Sequence, residues 1–120
     1  MNGFLTGKID LIFRHHEKFY ILDWKSNRLT GDAGGFGQEE IEEEMLNHHY
    51  ILQYHLYVLA LHLHLRARLP EYSYDRNFGG VYYLFTRGIR ASSNDGIFKD
   101  HPSFEVVERL EKFLLHSNEL

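Results

Sequence analysis

The stretch Gly7 to Asn27, GKIDLIFRHHEKFYILDWKSN, constrains this chain most, because it sets two acids inside two apolar runs. Ile9, Leu11, Ile12 and Phe13 surround Asp10; Phe19, Tyr20, Ile21, Leu22 and Trp24 surround Asp23, with Lys25 two residues on. Runs of β-branched and aromatic residues about a short polar segment predict a β-hairpin. It turns through His15 to Lys18, although no Asn-Gly pair fixes the turn type. With His16 and Glu17 at the centre, paired residue numbers sum to 33, so Arg14 faces Phe19 and Asp10 faces Asp23. An odd-length loop or a bulge would shift that pairing. Two carboxylates directly across a ladder repel, so a positive group is expected between them. Alternation puts Phe19, Ile21, Asp23 and Lys25 on one face and Tyr20, Leu22 and Trp24 on the other.

Two acids beside one lysine offer oxygen ligands to a hard cation such as Mg²⁺ and a charge to position a water. Those are the ingredients of metal-assisted phosphodiester hydrolysis. A lone Asp-x-Lys is common and reads as a strand end closed by an ion pair. Asp10 in register opposite tips the balance toward a site.

At 120 residues the chain is one domain or part of one, and 43% hydrophobic content supports a packed core. It has no cysteine, which excludes a disulfide framework, a zinc–thiolate site and a cysteine nucleophile. No run approaches transmembrane length and no signal-peptide pattern opens the chain, so a soluble, intracellular protein with no membrane partner is expected. The net charge of −4 owes much to Glu39, Glu40, Glu42, Glu43 and Glu44, a pattern typical of a solvated first helical turn. Arg66, Arg68, Arg76, Arg87 and Arg90 can still form a local positive surface. Net charge alone neither supports nor excludes DNA.

After the hairpin, Ser26 to Gln38 is turn-rich. Its GDAGGFG lacks the Gly-Lys-Ser/Thr ending of a phosphate loop and reads as a connector. A helix is expected from about Gln38 to Arg68, with a bend near His48–Tyr50 and a stop at Pro70. Ile41, Met45, Leu52, Leu56, Leu59 and Leu63 form one apolar face, and Leu46, Tyr50, Gln53, Tyr57, Ala60 and His64 a second stripe. Gln53 and Tyr57, at i and i+4, share a face; they read as satisfied boundary residues or as groups reaching a site at the sheet's end. Pro70 to Phe78 is a connector, and Gly79 to Arg87 a third strand buried on both faces. Strand, helix and strand make a crossover unit, normally right-handed and parallel. Gly88 to Pro102 reads as a loop and Ser103 to His116 as a terminal helix capped by Ser103, with Phe104, Val107, Leu110, Phe113 and Leu114 on its apolar face. Nine histidines are an excess, but His62 and His64, two apart on a helix, diverge and are poor joint ligands.

Gly7-Lys8-Ile9-Asp10-Leu11 followed by Asp23-Trp24-Lys25-Ser26-Asn27 resembles the nuclease domain of the RecB subunit of RecBCD, exodeoxyribonuclease V. The likeness continues through Tyr50-x-x-Gln53-Tyr54-x-x-Tyr57-x-x-Ala60-Leu61-His62 and Phe78-Gly79-Gly80-Val81-x-Tyr83-Leu84-Phe85-x-Arg87-Gly88, and weakens after Arg90. The wider group is the PD-(D/E)xK, restriction-endonuclease-like superfamily. The resemblance implies an α/β fold, a mixed sheet flanked by helices, with residues 1–120 the C-terminal part of a RecB-like nuclease domain truncated at its N-terminus. In the family, further helices, a strand and a metal-binding histidine precede the hairpin; here only Met1 to Thr6 do.

By the same resemblance, Asp10, Asp23 and the main-chain carbonyl of Trp24 bind Mg²⁺, with Mn²⁺ or Ca²⁺ able to substitute in binding. Lys25 orients or activates the attacking water, and Gln53 and Tyr57 lie beside the DNA. Trp24 stands where tyrosine is more usual. The implied activity is hydrolysis of single-stranded DNA or duplex ends, within a helicase–nuclease that processes double-strand breaks in the bacterial cytoplasm with RecC- and RecD-like subunits and a recombinase. No Walker A sequence is present, so the chain itself is not expected to hydrolyse ATP. The alternative is a catalytically incomplete module that binds recombinase or a partner subunit. Related nucleases with an iron–sulfur cluster carry cysteines that this chain lacks. A sheet edge left open by truncation would invite a homodimer.

Overall fold

The computed structural model describes residues 9–27, 35–90 and 93–116. The lead-in, the middle of the glycine-rich connector and part of the loop after Arg90 lie outside the described residues. β1 (Leu11–His15) and β2 (Lys18–Lys25) pair antiparallel from Leu11↔Leu22 to His15↔Lys18. Every pair sums to 33, the register expected. Two residues make the turn, and His16 takes left-handed backbone at φ 58°, which matches a tight turn to the twist of the strands.

The crossover is not one helix but two, α1 (Gln38–Asn47) and α2 (Tyr50–Arg68). His49, left-handed at φ 58°, breaks them apart within the region where a bend was expected. The break re-phases the apolar stripe. Ile41 and Met45 are buried on α1, and the buried residues of α2 are Tyr54, Tyr57, Val58, Leu59, Leu61, His62 and Leu65, while Leu52 is 58% exposed. A stripe counted straight through His49 therefore finds Leu59 but puts exposed Leu52 on the inner face and leaves out Tyr54, Val58, Leu61 and Leu65.

β3 (Phe78–Phe85) lies parallel to β2, as the crossover reading requires. Phe19 pairs with Phe78 but Tyr20 with Gly80, so an extra residue bulges out at this point. Gly80 sits there at φ 140°, which only glycine adopts readily. The bulge lets Phe78 and Val81 both be buried. Beyond it, Val81, Tyr83 and Phe85 are buried while Tyr82 and Leu84 are half-buried. Burial of this strand on both faces, expected from its apolar sequence, is therefore not observed.

A fourth strand, β4 (Ile97–Asp100), pairs antiparallel with β3 and completes the order β1-β2-β3-β4. It falls inside the segment read as a loop. Four residues are too few to show a period, and their pairing is fixed by β3 rather than by their own pattern. A single helical turn, α3 (Tyr74–Asn77), precedes β3, and α4 (Phe104–His116) closes the fold. Ser103 Oγ accepts the Val106 N–H at 3.3 Å, the cap that the sequence suggested.

The result is a mixed α/β sheet with flanking helices. Its core forms on the face carrying Ile21, Val81, Tyr83 and Phe85, against Ile41 and Met45 of α1, Tyr54, Val58 and Leu61 of α2, and Val107 of α4. Asp23 shares that buried face, whereas Trp24 points the other way and is 50% exposed.

The break at His49 has a testable energetic consequence. His49→Gly should raise the urea midpoint, by about 0.5–1 kcal/mol of stability, because left-handed backbone costs a β-carbon about 1–2 kcal/mol and glycine's unfolded-state entropy returns part of that. A continuous helix would respond with the opposite sign, losing about 1 kcal/mol.

Candidate functional site

The C-terminal end of β2 gathers the sequence-predicted groups. Asp23 is 2% exposed, and Lys25 Nζ lies 3.3 Å from its Oδ2. Lys25 thus supplies positive charge beside Asp23. Asp10 sits one residue before β1, where the ladder has ended, and its Oδ2 accepts the Trp24 main-chain N–H at 3.0 Å. This anchor keeps Asp10 beside Asp23 although the two are not ladder partners. The carboxyls are close enough to hydrogen-bond each other.

Burial, then the hydrogen bond and charge of Asp10, push the Asp23 carboxyl up to about 6 from its ordinary value of 3.8, against the downward pull of Lys25. Desolvation thus outweighs the ion pair. Asp23 Oδ2 is buried and has no geometric hydrogen-bond partner among the described residues, with the Lys25 ammonium 3.3 Å away. A buried carboxylate oxygen without such a partner, facing a second carboxylate, is the donor chemistry that a hard divalent cation takes. Asp10 and Asp23 fit such an ion. Among the described residues, no cluster of three or more His, Cys, Asp or Glu suited to holding a metal occurs.

The surrounding shell comes from three other elements. In the parallel ladder Asp23 pairs with Tyr83 of β3, whose hydroxyl donates to Gln53 Oε1 on α2. Burial, followed by the charge of Asp23, holds the Tyr83 hydroxyl well above the usual phenol range. Gln53 is half-buried and reaches the site through Tyr83. Tyr57, one turn further along α2, is 3% exposed and belongs to the core. Tyr50 opens α2 with its ring 4.4 Å from Lys25 Nζ. Asn27 ties the corner together, donating to the Tyr50 hydroxyl at 3.0 Å and to Glu44 Oε2 at 2.8 Å. The strand end is clamped by Thr86 N–H on the Lys25 carbonyl (2.9 Å) and Arg87 Nε on the Ser26 carbonyl (2.7 Å).

Tyr50, Tyr83 and Asn27 were not singled out as site residues in the sequence. Tyr50 stands three before Gln53, a spacing that shares a helix face, and this was a usable signal. Tyr83 carried none, since the offset between β2 and β3 is set by a bulge. His62 and His64 do diverge: His62 is buried with Nδ1 on the Tyr72 hydroxyl, and exposed His64 meets Arg68.

With this geometry in view, comparison with known proteins is decisive. Residues 2–117 match the model of the PD-(D/E)XK nuclease superfamily. The chain belongs to that superfamily. It is similar to the RecB subunit of the RecBCD enzyme of Haemophilus influenzae, 45% identical over 111 residues, which is 92% of this chain and 9% of that protein. The Escherichia coli RecB subunit is 42% identical over 113 residues, covering 93% of this chain and 10% of that protein. That of Mycolicibacterium smegmatis is 37% identical over 126 residues, covering 95% and 12%. The chain therefore spans about a tenth of the length of these relatives.

The raised Asp23 pKa fixes the sign of a pH effect. The folded state binds this proton more tightly than the unfolded chain, whose carboxyl titrates near 3.8. The stability that Asp23 contributes is full below about pH 4 and is lost as pH rises through about 6. In metal-free buffer with chelator, the stability difference between wild type and Asp23→Asn should fall by on the order of 2 kcal/mol from pH 4 to pH 7.5. Urea titrations at each pH measure it. A difference that stays flat would refute the burial-driven shift.

Proposed function

We propose that this chain carries the catalytic centre of a RecB-type nuclease domain and hydrolyses phosphodiester bonds of DNA with a divalent metal, Mg²⁺ by preference. The supporting observation is the convergence of Asp10, Asp23 and Lys25 at one strand end, with a buried Asp23 oxygen that has no hydrogen-bond donor among the described residues. Superfamily membership makes phosphodiester hydrolysis the natural use of that set. The carboxylates of Asp10 and Asp23, with the main-chain carbonyl of Trp24, would hold the ion, and Mn²⁺ or Ca²⁺ would compete for the same oxygens. When bound, the ion would stabilise the negative charge that develops on the phosphate oxygens.

The chain's own residues do the rest. Asp10 and Asp23 hold negative charge where a hard cation is wanted. Lys25 Nζ, on the same face as Asp23, donates to the attacking water and keeps a lone pair of that water toward phosphorus. Gln53 is assigned a substrate-side position through its bond to Tyr83, and Tyr57 backs it from the core.

On the same reading the polypeptide to which this domain belongs is an exodeoxyribonuclease V-type helicase–nuclease. Its substrate would be single-stranded DNA or duplex ends, and residues 1–120 would be the C-terminal part of its nuclease domain. RecC- and RecD-like subunits and a recombinase would be its partners in a bacterial cytoplasm. No helix among the described residues is long and apolar enough to cross a membrane. One observation favours a further contact between copies: all five residues of edge strand β1 are exposed, Leu11 and Ile12 each at 43%. An open edge of this kind accepts another strand, so the isolated chain should scatter light as a dimer. A monomer at all concentrations would remove that contact.

Metal-dependent cleavage of labelled single-stranded DNA tests the main proposal. Asp23→Ala and Lys25→Ala should each slow it at least about a hundredfold. Calorimetry should show that Asp23→Ala loses Mn²⁺ binding while Lys25→Ala keeps it. Cleavage by Asp23→Ala at the wild-type rate would end the assignment. Tight metal binding by a wild-type chain that cleaves nothing would instead support the interaction-module alternative.

A further inference from the structure

Lys25 is held by more than Asp23. Its Nζ lies 4.4 Å from the centre of the Tyr50 ring and 5.5 Å from that of Tyr83, while the two rings are 5.6 Å apart, tilted at 38°. An ammonium within about 6 Å of a ring centre is attracted by the negative π-face. Two such rings and a carboxylate at 3.3 Å leave a flexible side chain little freedom. The rings are themselves fixed. Tyr83 is fully buried, lies beside Asp23 in the ladder and donates its hydroxyl to Gln53. The Tyr50 hydroxyl accepts from Asn27, which also binds Glu44.

We propose that Tyr50 and Tyr83 are positioning residues for the nuclease reaction: their rings cage the Lys25 ammonium and hold it against Asp23, so that it meets the attacking water in one place. This rests on the nuclease reading. Neither ring touches the reacting atoms; each acts through Lys25. The cage also explains a local sequence cost. His49 adopts left-handed backbone immediately before α2, and that break starts the helix with Tyr50 over Lys25.

A four-carbon side chain beside an acid, without rings, would sample several staggered rotamers. Most of those would leave the water unheld. The loss should therefore appear in kcat and leave the KM for DNA in place, because Tyr50 reaches the substrate only through Lys25.

The test uses the full chain with Tyr50 replaced by phenylalanine, by a trifluorinated phenylalanine of nearly the same shape, and by leucine. Two quantities are read. One is the NMR shift of the Lys25 ε-methylene, which ring currents should move upfield of the chain's other lysines. The other is kcat and KM for Mn²⁺-dependent cleavage of a short single-stranded oligonucleotide. Tyr50→Phe should keep the upfield shift and stay within about threefold of wild type in kcat. Fluorination, which withdraws charge from the ring face without altering packing, should lower kcat about fivefold below Tyr50→Phe at equal KM. Tyr50→Leu should lose most of the shift and about tenfold in kcat.

Lys25 resonances without an upfield shift in wild type would overturn the cage. So would equal kcat for the phenylalanine and trifluorinated forms, and this comparison holds even where Tyr50→Leu fails to fold. A wild-type chain with no Mn²⁺-dependent cleavage overturns the nuclease reading and the positioning role with it. That failure is distinct from a cleaving enzyme indifferent to fluorination, which overturns the cage alone.

Discussion

The burial of one carboxylate is the constraint on which the rest of this structure depends. Asp23 stands on the inner face of β2, two residues from Ile21, where the core would otherwise continue. Taking an ion out of water is costly unless it is paired and bonded. The pairing present falls short of the cost, since the Asp23 carboxyl remains raised to about 6 with Lys25 only 3.3 Å away. A protein that needed only a stable strand end would place an aliphatic residue here, at no such cost. Several neighbouring features follow from retaining the acid. Asp10, itself exposed, is anchored by the Trp24 N–H. Tyr83 brings its hydroxyl to the same corner, and Thr86 and Arg87 tie the strand end down.

Much of this was legible in the sequence because it is local. Hairpin register depends on loop length, and a two-residue turn at His16 and Glu17 fixes every pair from His15–Lys18 to Leu11–Leu22. Face parity then follows from the pleat, so buried Asp23 and exposed Trp24 are both consequences of counting by two. What was not legible is non-local or belongs to a single backbone conformation. β4 exists because β3 offers an edge. The inner line of α2 is rotated by one left-handed residue, His49, whose identity gives no warning. Tyr83 faces Asp23 because of a bulge at Gly79–Gly80, which the paired glycines permit but do not announce. The half-buried side of β3 escaped for another reason. An apolar strand reads as buried on both faces whether or not a second layer is there to cover it.

The electrostatics of the site's borders also shape what can approach it. α1 carries exposed Glu39, Glu42 and Glu43, and its Glu44 touches the site through Asn27 and also contacts His48. On that flank a polyanion meets like charge. Arg87 stands at the strand end, on the Ser26 carbonyl. Acidic and basic groups thus both border the strand end, and its surroundings are not uniformly basic. The overall charge of −4 is compatible with such a border, because what a substrate meets at close range is the local arrangement.

The small number of acidic ligands carries its own logic under the nuclease reading. Mg²⁺ dehydrates reluctantly and is commonly held by one or two carboxylates plus substrate phosphates, keeping several waters. Asp10 and Asp23 supply that number. Under that reading a phosphate would complete the ion's shell, so ion and DNA should bind with positive coupling, each improving the other's affinity by the same factor. The raised pKa of Asp23 works in the same direction. Near neutral pH the metal-free pair lies only about a unit above the point at which it takes up a proton, and that proton must leave when oxygen ligands are required. Under the nuclease reading, a corner made uncomfortable by burial would be relieved when cation and phosphate come together.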